Sequence, residues 1–324
     1  MLIDITEKSG IPLMGAIPFG IIDRGTNILQ VRATSICNLG CLFCSTGGGV
    51  NSGRTNYVVE LNYLLKWLKE VTKFKEDDEI EVHLDSVGEV MTYKNIAKLI
   101  TEIKKIKEVK IISMQSNGTL LNTENINKLE KAGLNRINLS LHSLNNELAK
   151  RLSGVSWYNT EKIVETTKLI QKSKIELWIT PVWVPGMNDE DMVELIKFAK
   201  EIDAPIGIQK YEKHKYGLNP KKVKQMSWYH FYQKLDKWEK EFGYKLKYGR
   251  NDMNIKKVKI LPKPFRKGDK IKAEIICSGW MPGQKIAKAK NRCITINNCD
   301  KNPRTMVTTR ILEDKNNLFI GEVK

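Results

Sequence analysis

The stretch Cys37-Asn38-Leu39-Gly40-Cys41-Leu42-Phe43-Cys44 decides how this chain is read. Its cysteines are separated by three residues and then by two. Thiolates spaced this closely fold around one corner of an iron–sulfur cubane and leave its fourth iron without a protein ligand. An open iron binds a small molecule, which a fully ligated electron-transfer cluster does not. A ferredoxin-type run needs a fourth cysteine, and none lies nearby. A structural zinc site needs a fourth ligand as well, and the next candidate, His83, is far along the chain. The bland reading is three unrelated free thiols in a loop.

Working outward, the cysteine loop follows a β-like run at 27–34. Beyond it, short β-like runs alternate with amphipathic helices. Leu61, Leu64, Leu65, Leu68 and Val71 recur at helical spacing. Further strands are expected at 79–84, 109–115, 136–141, 175–184 and 205–209, with helices at 94–106, 123–132 and 160–171. Asn188 is placed to cap another helix, whose first turn holds Asp189, Glu190 and Asp191, as the helix dipole favours. Six β-then-α units imply parallel strands with active residues at their C-terminal ends. The expected fold class is therefore α/β, a partial (β/α)6 TIM barrel, although the count alone also fits an open sheet.

After this the composition shifts. Residues 211–260 are Lys-rich and aromatic, with one helix near 228–242. Past Pro262 and Pro264, short β-like runs separated by Gly and Asn read as a small all-β barrel. The expected organisation is an N-terminal extension (1–27), the α/β part (28–210), a basic extension (211–260) and the small barrel (261–324).

The 324 residues carry 54 Lys and Arg against 37 Asp and Glu, a formal charge of +17, and are 41% hydrophobic. That excludes a disordered acidic tail or a fibrous protein and allows a sizeable core. The positive excess points to a polyanionic partner without naming one. No run approaches the ~20 apolar residues of a membrane helix. The apolar segment 11–22 contains Pro12, Gly15, Pro18 and Gly20 and follows no basic run, so no secretory leader and a cytoplasmic location are expected. Six cysteines are too few for a disulfide scaffold in a chain of this size, and clustered cysteines in a reducing compartment bind metal or do redox chemistry.

CxxxCxxC after a first strand, with the aromatic Phe43 before the last cysteine, resembles the radical S-adenosylmethionine superfamily. The resemblance covers about 28–210. It implies a 4Fe-4S cluster on Cys37, Cys41 and Cys44, with S-adenosyl-L-methionine chelating the fourth iron. One electron from a reductant of ferredoxin or flavodoxin type then cleaves S-adenosylmethionine to methionine and a 5′-deoxyadenosyl radical, which abstracts hydrogen from an inert C–H bond. Ser86-Val87-Gly88-Glu89 looks like the family's GGE(P) motif but has Val87 for a glycine and Val90 for the proline, so only Gly88 and Glu89 carry over. Phe43, Ser116, Asn117, Ser140, His142, Gln209 and Tyr211 sit where relatives contact S-adenosylmethionine or substrate. Outside that resemblance, Asn117-Gly118 reads as a simple turn and His142 as a satisfied, partly buried histidine.

The segment 261–324 has 14 Lys and Arg against 6 Asp and Glu. Its order of runs resembles a TRAM domain, an OB-like barrel appended to RNA-modifying enzymes. Lys285, Lys288, Lys290 and Arg292 lie close together there and read as an RNA phosphate footprint, against the plain alternative of a solvated Lys face. Cys277, Cys293 and Cys299 are the candidates for a second iron–sulfur cluster. Strand parity argues against it, since Cys277 shares parity with the core residues Ala273 and Ile275, and Cys293 does not share that of Ile294 and Ile296.

The expected function is a radical enzyme, a transferase that modifies a base of tRNA or rRNA by methylation or methylthiolation at a C–H position. The alternative is radical chemistry on a small molecule or peptide, as in molybdenum-cofactor cyclases, with an auxiliary cluster at the C-terminal cysteines. A non-enzymatic RNA-binding protein with a structural cluster would favour a fourth protein ligand. No membrane partner is expected.

Overall fold

The computed structural model describes residues 1–50 and 52–324, in two compact units. The first unit comprises Met1–Ile36, Gly53–Ile112 and Ile255–Lys324, and the second Cys37–Ser52 and Ser113–Asn254.

The first unit opens with β1 (Leu2–Ile5), β2 (Gly20–Asp23), β3 (Ile28–Arg32), β4 (Asn56–Val59), α1 (Leu61–Lys75), β5 (Ile80–Leu84) and α2 (Ile96–Ile103). Strand β3 pairs antiparallel with β2 and parallel with β5. Strands β1 and β4, which the sequence pattern does not announce, form a parallel ribbon of their own. Helix α1 buries Leu61, Leu64, Leu65, Leu68 and Val71, the positions its spacing indicates. At its end Lys75 is drawn inward to an ion pair with Asp23 at 2.7 Å, both side chains 0% exposed. Asp23 also accepts from the backbone N–H of Gly25 and of Leu261, so its remaining lone pairs are used.

The strand β6 (Val109–Ser116) spans the boundary, and its last residues lead the second unit. There follow α3 (Thr123–Ala132), β7 (Arg136–Leu139), α4 (Asn146–Ser153), α5 (Thr160–Gln171), β8 (Glu176–Ile179), β9 (Val182–Trp183), α6 (Asp189–Glu201), β10 (Gln209–Lys210) and α7 (Trp228–Phe242). From Ser113 on, β6 runs parallel to β7, and β7 parallel to β8. Helices α3, α4 and α5 each begin at an asparagine (Asn122, Asn145, Asn159) whose side chain accepts an orphan N–H of the first turn. The strand expected at 175–184 is broken before Pro181, which has no N–H to donate, and continues as β9. The sixth strand is shorter than expected: β10 pairs parallel with β9.

The C-terminal part of the first unit is a closed five-stranded barrel in the order β11 (Lys270–Ser278), β12 (Lys285–Ala289), β13 (Arg292–Asn297), β15 (Ile320–Val323), β14 (Met306–Glu313). Its core includes Phe265, Ala273, Ile275, Ala287, Ile294, Ile296, Val307, Ile311 and Phe319. The barrel is built into the N-terminal segment of its own unit. Met14 O accepts from Cys293 N–H at 2.7 Å, and Gly15 O from Phe319 N–H at 3.0 Å. Gly15 has φ +109°, and a Cβ there would lie 2.1 Å from Cys293 O, so only glycine permits this approach. The apolar segment 11–22 is thus core. Among the described residues no helix is long and apolar enough to cross a membrane.

Replacing Lys75 by Met leaves Asp23 as a buried, uncompensated charge. The expected cost is about 3–5 kcal/mol, read as a fall in the urea midpoint, whereas Lys66→Met, at the exposed Glu7 pair, should leave the midpoint in place.

Candidate active site

The cysteine loop has almost no regular structure, and its shape comes from what holds it. Gly40 N–H and Leu42 N–H donate to the carbonyls of Ser153 and Leu152 at the end of α4, at 2.9 and 3.0 Å. The close approach needs Gly154 (φ +69°), whose Cβ would sit 2.1 Å from Gly40 O. Leu218 N–H donates to Cys44 O at 2.8 Å. Phe43 is buried with Leu152, Val184, Tyr211 and Val223, its ring edge-on to His142 at 4.8 Å. Phe43 therefore anchors the loop in an apolar cluster. The three thiols are half-buried: Cys37 Sγ accepts from Leu39 N–H at 3.5 Å, and Cys44 Sγ lies 3.1 Å from Thr46 Oγ1.

A closed ring of side chains braces the loop from β6. Asn117 Nδ2 donates to Asn38 Oδ1 (3.0 Å), Asn38 Nδ2 to Thr119 Oγ1 (2.8 Å), and Thr119 Oγ1 to Asn117 Oδ1 (2.6 Å). Asn117 thus fixes the cysteine loop, and Ser116 Oγ accepts from Gly118 N–H in the turn beside it. At the ends of β6, β7 and β8 a polar layer joins Gln115 Nε2 to Ser140 Oγ (2.8 Å) and Thr180 Oγ1 (3.0 Å). Ser140 was expected there. Gln115 and Thr180 carry no local motif, and their position at the C-terminal ends of parallel strands is the one signal the sequence offers for them.

His142 Nδ1 accepts from Val182 N–H at 3.0 Å, so its Nε2 carries the proton of the neutral ring. Burial pushes its pKa down to about 4. The backbone around it is tied by Asn188, which donates to His142 O and Val182 O and accepts from Val184 N–H. This corrects the expectation that Asn188 caps α6: its side chain makes no capping bond, because it is engaged with the strand ends. Gln209 is exposed. Tyr211 is buried against Phe43, its hydroxyl donating to Asn219 Oδ1 at 3.2 Å.

Gly88 and Glu89 belong to the first unit. A Cβ at Gly88 would lie 2.3 Å from Ile36 O, and Glu89 N–H donates to that same carbonyl at 2.8 Å. Glycine is required at 88 because the turn after β5 presses on the backbone just before the cysteine loop. Val87, in place of the usual glycine, is buried. Glu89 Oε1 accepts from Met91 N–H at 3.0 Å.

The C-terminal cysteines do not share a centre. Cys299 lies in the barrel core. A bulge between Ile275 and Cys277 reverses the parity of β11 and sets Cys277 opposite Ile286, outside that core, which corrects the inward orientation expected for it. Cys293 is also on the outer face, as parity indicates, yet is fully buried, donating to Pro12 O at 3.0 Å. Burial pushes the Cys277 thiol up to about 12 and that of Cys293 well above the ordinary range, which disfavours the thiolate a cluster needs. Three of the four basic residues have partners on the barrel surface. Lys288 pairs with Glu274 at 3.5 Å, Lys290 lies over the Phe265 ring, and Arg292 donates to the carbonyls of Asn291 and Pro262.

The sequence model described as "Radical SAM superfamily" matches residues 31–199. The chain belongs to the radical S-adenosylmethionine superfamily. Enzymes of this family use a 4Fe-4S cluster and S-adenosylmethionine and need a reductant. Among relatives, the chain is 38% identical to an uncharacterized protein of Methanocaldococcus jannaschii, over 97% of this chain and 79% of that one. It is 31% identical to a probable GTP 3',8-cyclase of the same organism, over 57% of this chain and 59% of the relative. The chain spans between 54% and 66% of the length of such relatives bearing the cyclase name. The fold is similar to that of Streptococcus suis SuiB bound to S-adenosylmethionine, with a TM-score of 0.51, 18% identity and coverage of 73% and 49% of the two chains.

The donor set fits the family's cluster. Cys37, Cys41 and Cys44 put three half-buried thiols on one loop, and thiolate sulfur is the ligand type such a cluster takes.

Asn117→Ala opens the ring that holds Asn38. Iron per chain after anaerobic reconstitution and desalting should fall well below wild type with the far-ultraviolet spectrum unchanged; wild-type iron would refute the bracing role. For His142, the unfolded chain takes up a proton near pH 6.5 and the folded one only near 4. Stability of the cluster-free protein is therefore full above pH 6.5 and lost as pH falls toward 4, by at most about 3 kcal/mol. Urea titrations should show His142→Gln to be less acid-sensitive than wild type across that window.

Proposed function

We propose that this chain is a radical S-adenosylmethionine enzyme acting on a small phosphorylated nucleoside. The likeness to proteins named for GTP over 191 residues carries this reading. The contacts that Lys288, Lys290 and Arg292 make within the protein add to it, because an RNA backbone would compete with those partners for the cations. Methanocaldococcus jannaschii has both a relative matching 97% of this chain and a separate probable cyclase, which favours a reaction other than that cyclisation. On this reading the α/β strands line an incomplete (β/α)6 barrel, and Cys37, Cys41 and Cys44 would hold the cluster. Cluster and S-adenosylmethionine together supply one-electron chemistry that takes a hydrogen atom from a substrate carbon. The chain's own part is to hold the loop in shape through Asn38, Asn117 and Thr119. The neutral His142 keeps added charge away from the cysteine loop, and the Gln115, Ser140 and Thr180 layer offers hydrogen bonds at the strand ends. The electron donor would be a ferredoxin or flavodoxin.

A second reading keeps RNA as substrate and a base methylation or methylthiolation as the reaction. The barrel favours it, since a closed five-stranded barrel is the architecture of OB-like oligonucleotide binders.

Anaerobically reconstituted protein should hold about four iron per chain, and Cys37→Ala should hold almost none. With dithionite and S-adenosylmethionine it should release 5′-deoxyadenosine, faster when GTP or ATP is added than when bulk tRNA is added. Stimulation by tRNA alone would favour the second reading, and no 5′-deoxyadenosine under any condition would end both.

A further inference from the structure

One surface of the second unit gathers several exposed lysines that make no ion pair among the described residues. From Lys210 to Lys237 the sequence has eight Lys against one Glu and one Asp. Lys213, Lys221, Lys222 and Lys224 are exposed, and among the described residues none has a carboxylate within ion-pair distance. They project from a compact loop. Lys213 N–H donates to Gln225 Oε1 at 3.0 Å and closes it, and Asn219 Nδ2 donates to the carbonyls of His214 and Gly217 inside it. Val223 is buried with Phe43. The loop is fastened to the cysteine loop by Leu218 N–H on Cys44 O, and Gly217 packs so closely that a Cβ there would lie 2.9 Å from the same oxygen.

Exposed aromatic rings follow in the first turns of α7: Trp228 is 51% and Tyr232 48% exposed, stacked at 5.8 Å with their planes 25° apart. Lys210, at the end of β10, lies over the Trp228 ring with Nζ 4.6 Å from its centroid. Its side chain is 1% exposed, and its ammonium is paired to Glu212 at 3.1 Å but makes no hydrogen bond. The attraction of a cation to a ring face helps hold Trp228 in this orientation.

We propose that the loop 213–225 and the first turns of α7 are the docking surface for a nucleoside triphosphate, with Lys213, Lys221, Lys222 and Lys224 on the phosphates and the Trp228–Tyr232 pair against the base. The proposal rests on the nucleoside-phosphate reading above and assigns residues to it. Unpaired lysines meet a polyphosphate by charge. One stacked pair suits one base, whereas binders of single-stranded polymers offer successive rings along a groove. Fastening to Cys44 brings the surface to the loop that carries the thiols.

The test is calorimetric titration of the reconstituted enzyme with GTP, ATP, inorganic tripolyphosphate and a single-stranded RNA dodecamer. Lys221→Glu/Lys222→Glu/Lys224→Glu should weaken nucleotide and tripolyphosphate at least tenfold. Trp228→Ala/Tyr232→Ala should weaken the nucleotides about tenfold and leave tripolyphosphate unchanged. Lys104→Glu/Lys107→Glu/Lys110→Glu makes the same charge change elsewhere and should bind as wild type. Iron content and melting temperature serve as folding controls, and single substitutions replace any variant that fails them. Nucleotide binding that survives both sets of substitutions overturns this assignment alone. Wild type binding no nucleotide overturns the substrate reading with it, and the dodecamer binding tighter than either nucleotide identifies the surface as one for RNA.

Discussion

Three thiols on an eight-residue loop must be presented by backbone that has almost no helix or strand of its own, and the second unit is arranged around that constraint. Order is borrowed on three sides. The carbonyls that end α4 receive Gly40 and Leu42, the Asn38–Asn117–Thr119 ring ties the loop to β6, and Leu218 takes the carbonyl of Cys44. Phe43, between two of the thiols, is the apolar plug that keeps the loop seated. An irregular loop stays in one conformation when its polar backbone groups have fixed partners and its one large side chain is buried. Both conditions are met here.

Much of this was legible in the sequence. The cysteine spacing named the loop, the 3.6-residue period named α1, α3, α5 and α6, and the alternation of short β-like and helical runs named the α/β class. Other features were hidden for physical reasons. Helix α4 has only Leu148, Ala149 and Leu152 as apolar positions in eight residues, too few for a period to show. The ribbon of β1 and β4 joins segments some fifty residues apart, and no local pattern encodes a long-range pairing. Asn188 has every mark of a cap, yet the strand ends beside it had unsatisfied backbone groups, and those claimed its side chain. The place of Asn117 at a strand end is visible in the sequence, but its bond to Asn38 depends on a contact that only folding creates.

The cysteines of the C-terminal barrel show how one residue overturns a parity argument. Alternation predicts that Cys277 faces the same way as Ala273 and Ile275. The bulge after Ile275 puts two residues against one on β12 and reverses the order from there on. Cys277 and Cys293 then share the outer wall near Tyr57, and burial raises the pKa of both thiols and of the Tyr57 hydroxyl, which keeps all three protonated. The same wall receives the N-terminal segment through Met14 and Gly15, so the barrel is part of the first unit's core rather than an appended module.

Charge is the property that sequence reports most easily and interprets least well. The barrel segment has a clear basic excess, which reads as a footprint for a polyanion. In the fold, however, Lys288, Lys290 and Arg292 meet a carboxylate, a ring and two carbonyls. A cation already bonded within the protein must give up that partner before it can hold a phosphate, whereas an exposed and unpaired one gives up only water. The extension 211–260 is Lys-rich and aromatic, and within it Lys213, Lys221, Lys222 and Lys224 of the loop 213–225 make no ion pair among the described residues, while Leu218 bonds that same loop to Cys44. What separates the two basic regions is therefore the partners each cation finds when the chain folds, and those come from residues distant in sequence: Glu274 for Lys288, Pro262 for Arg292, and none for Lys221 or Lys222 among the described residues.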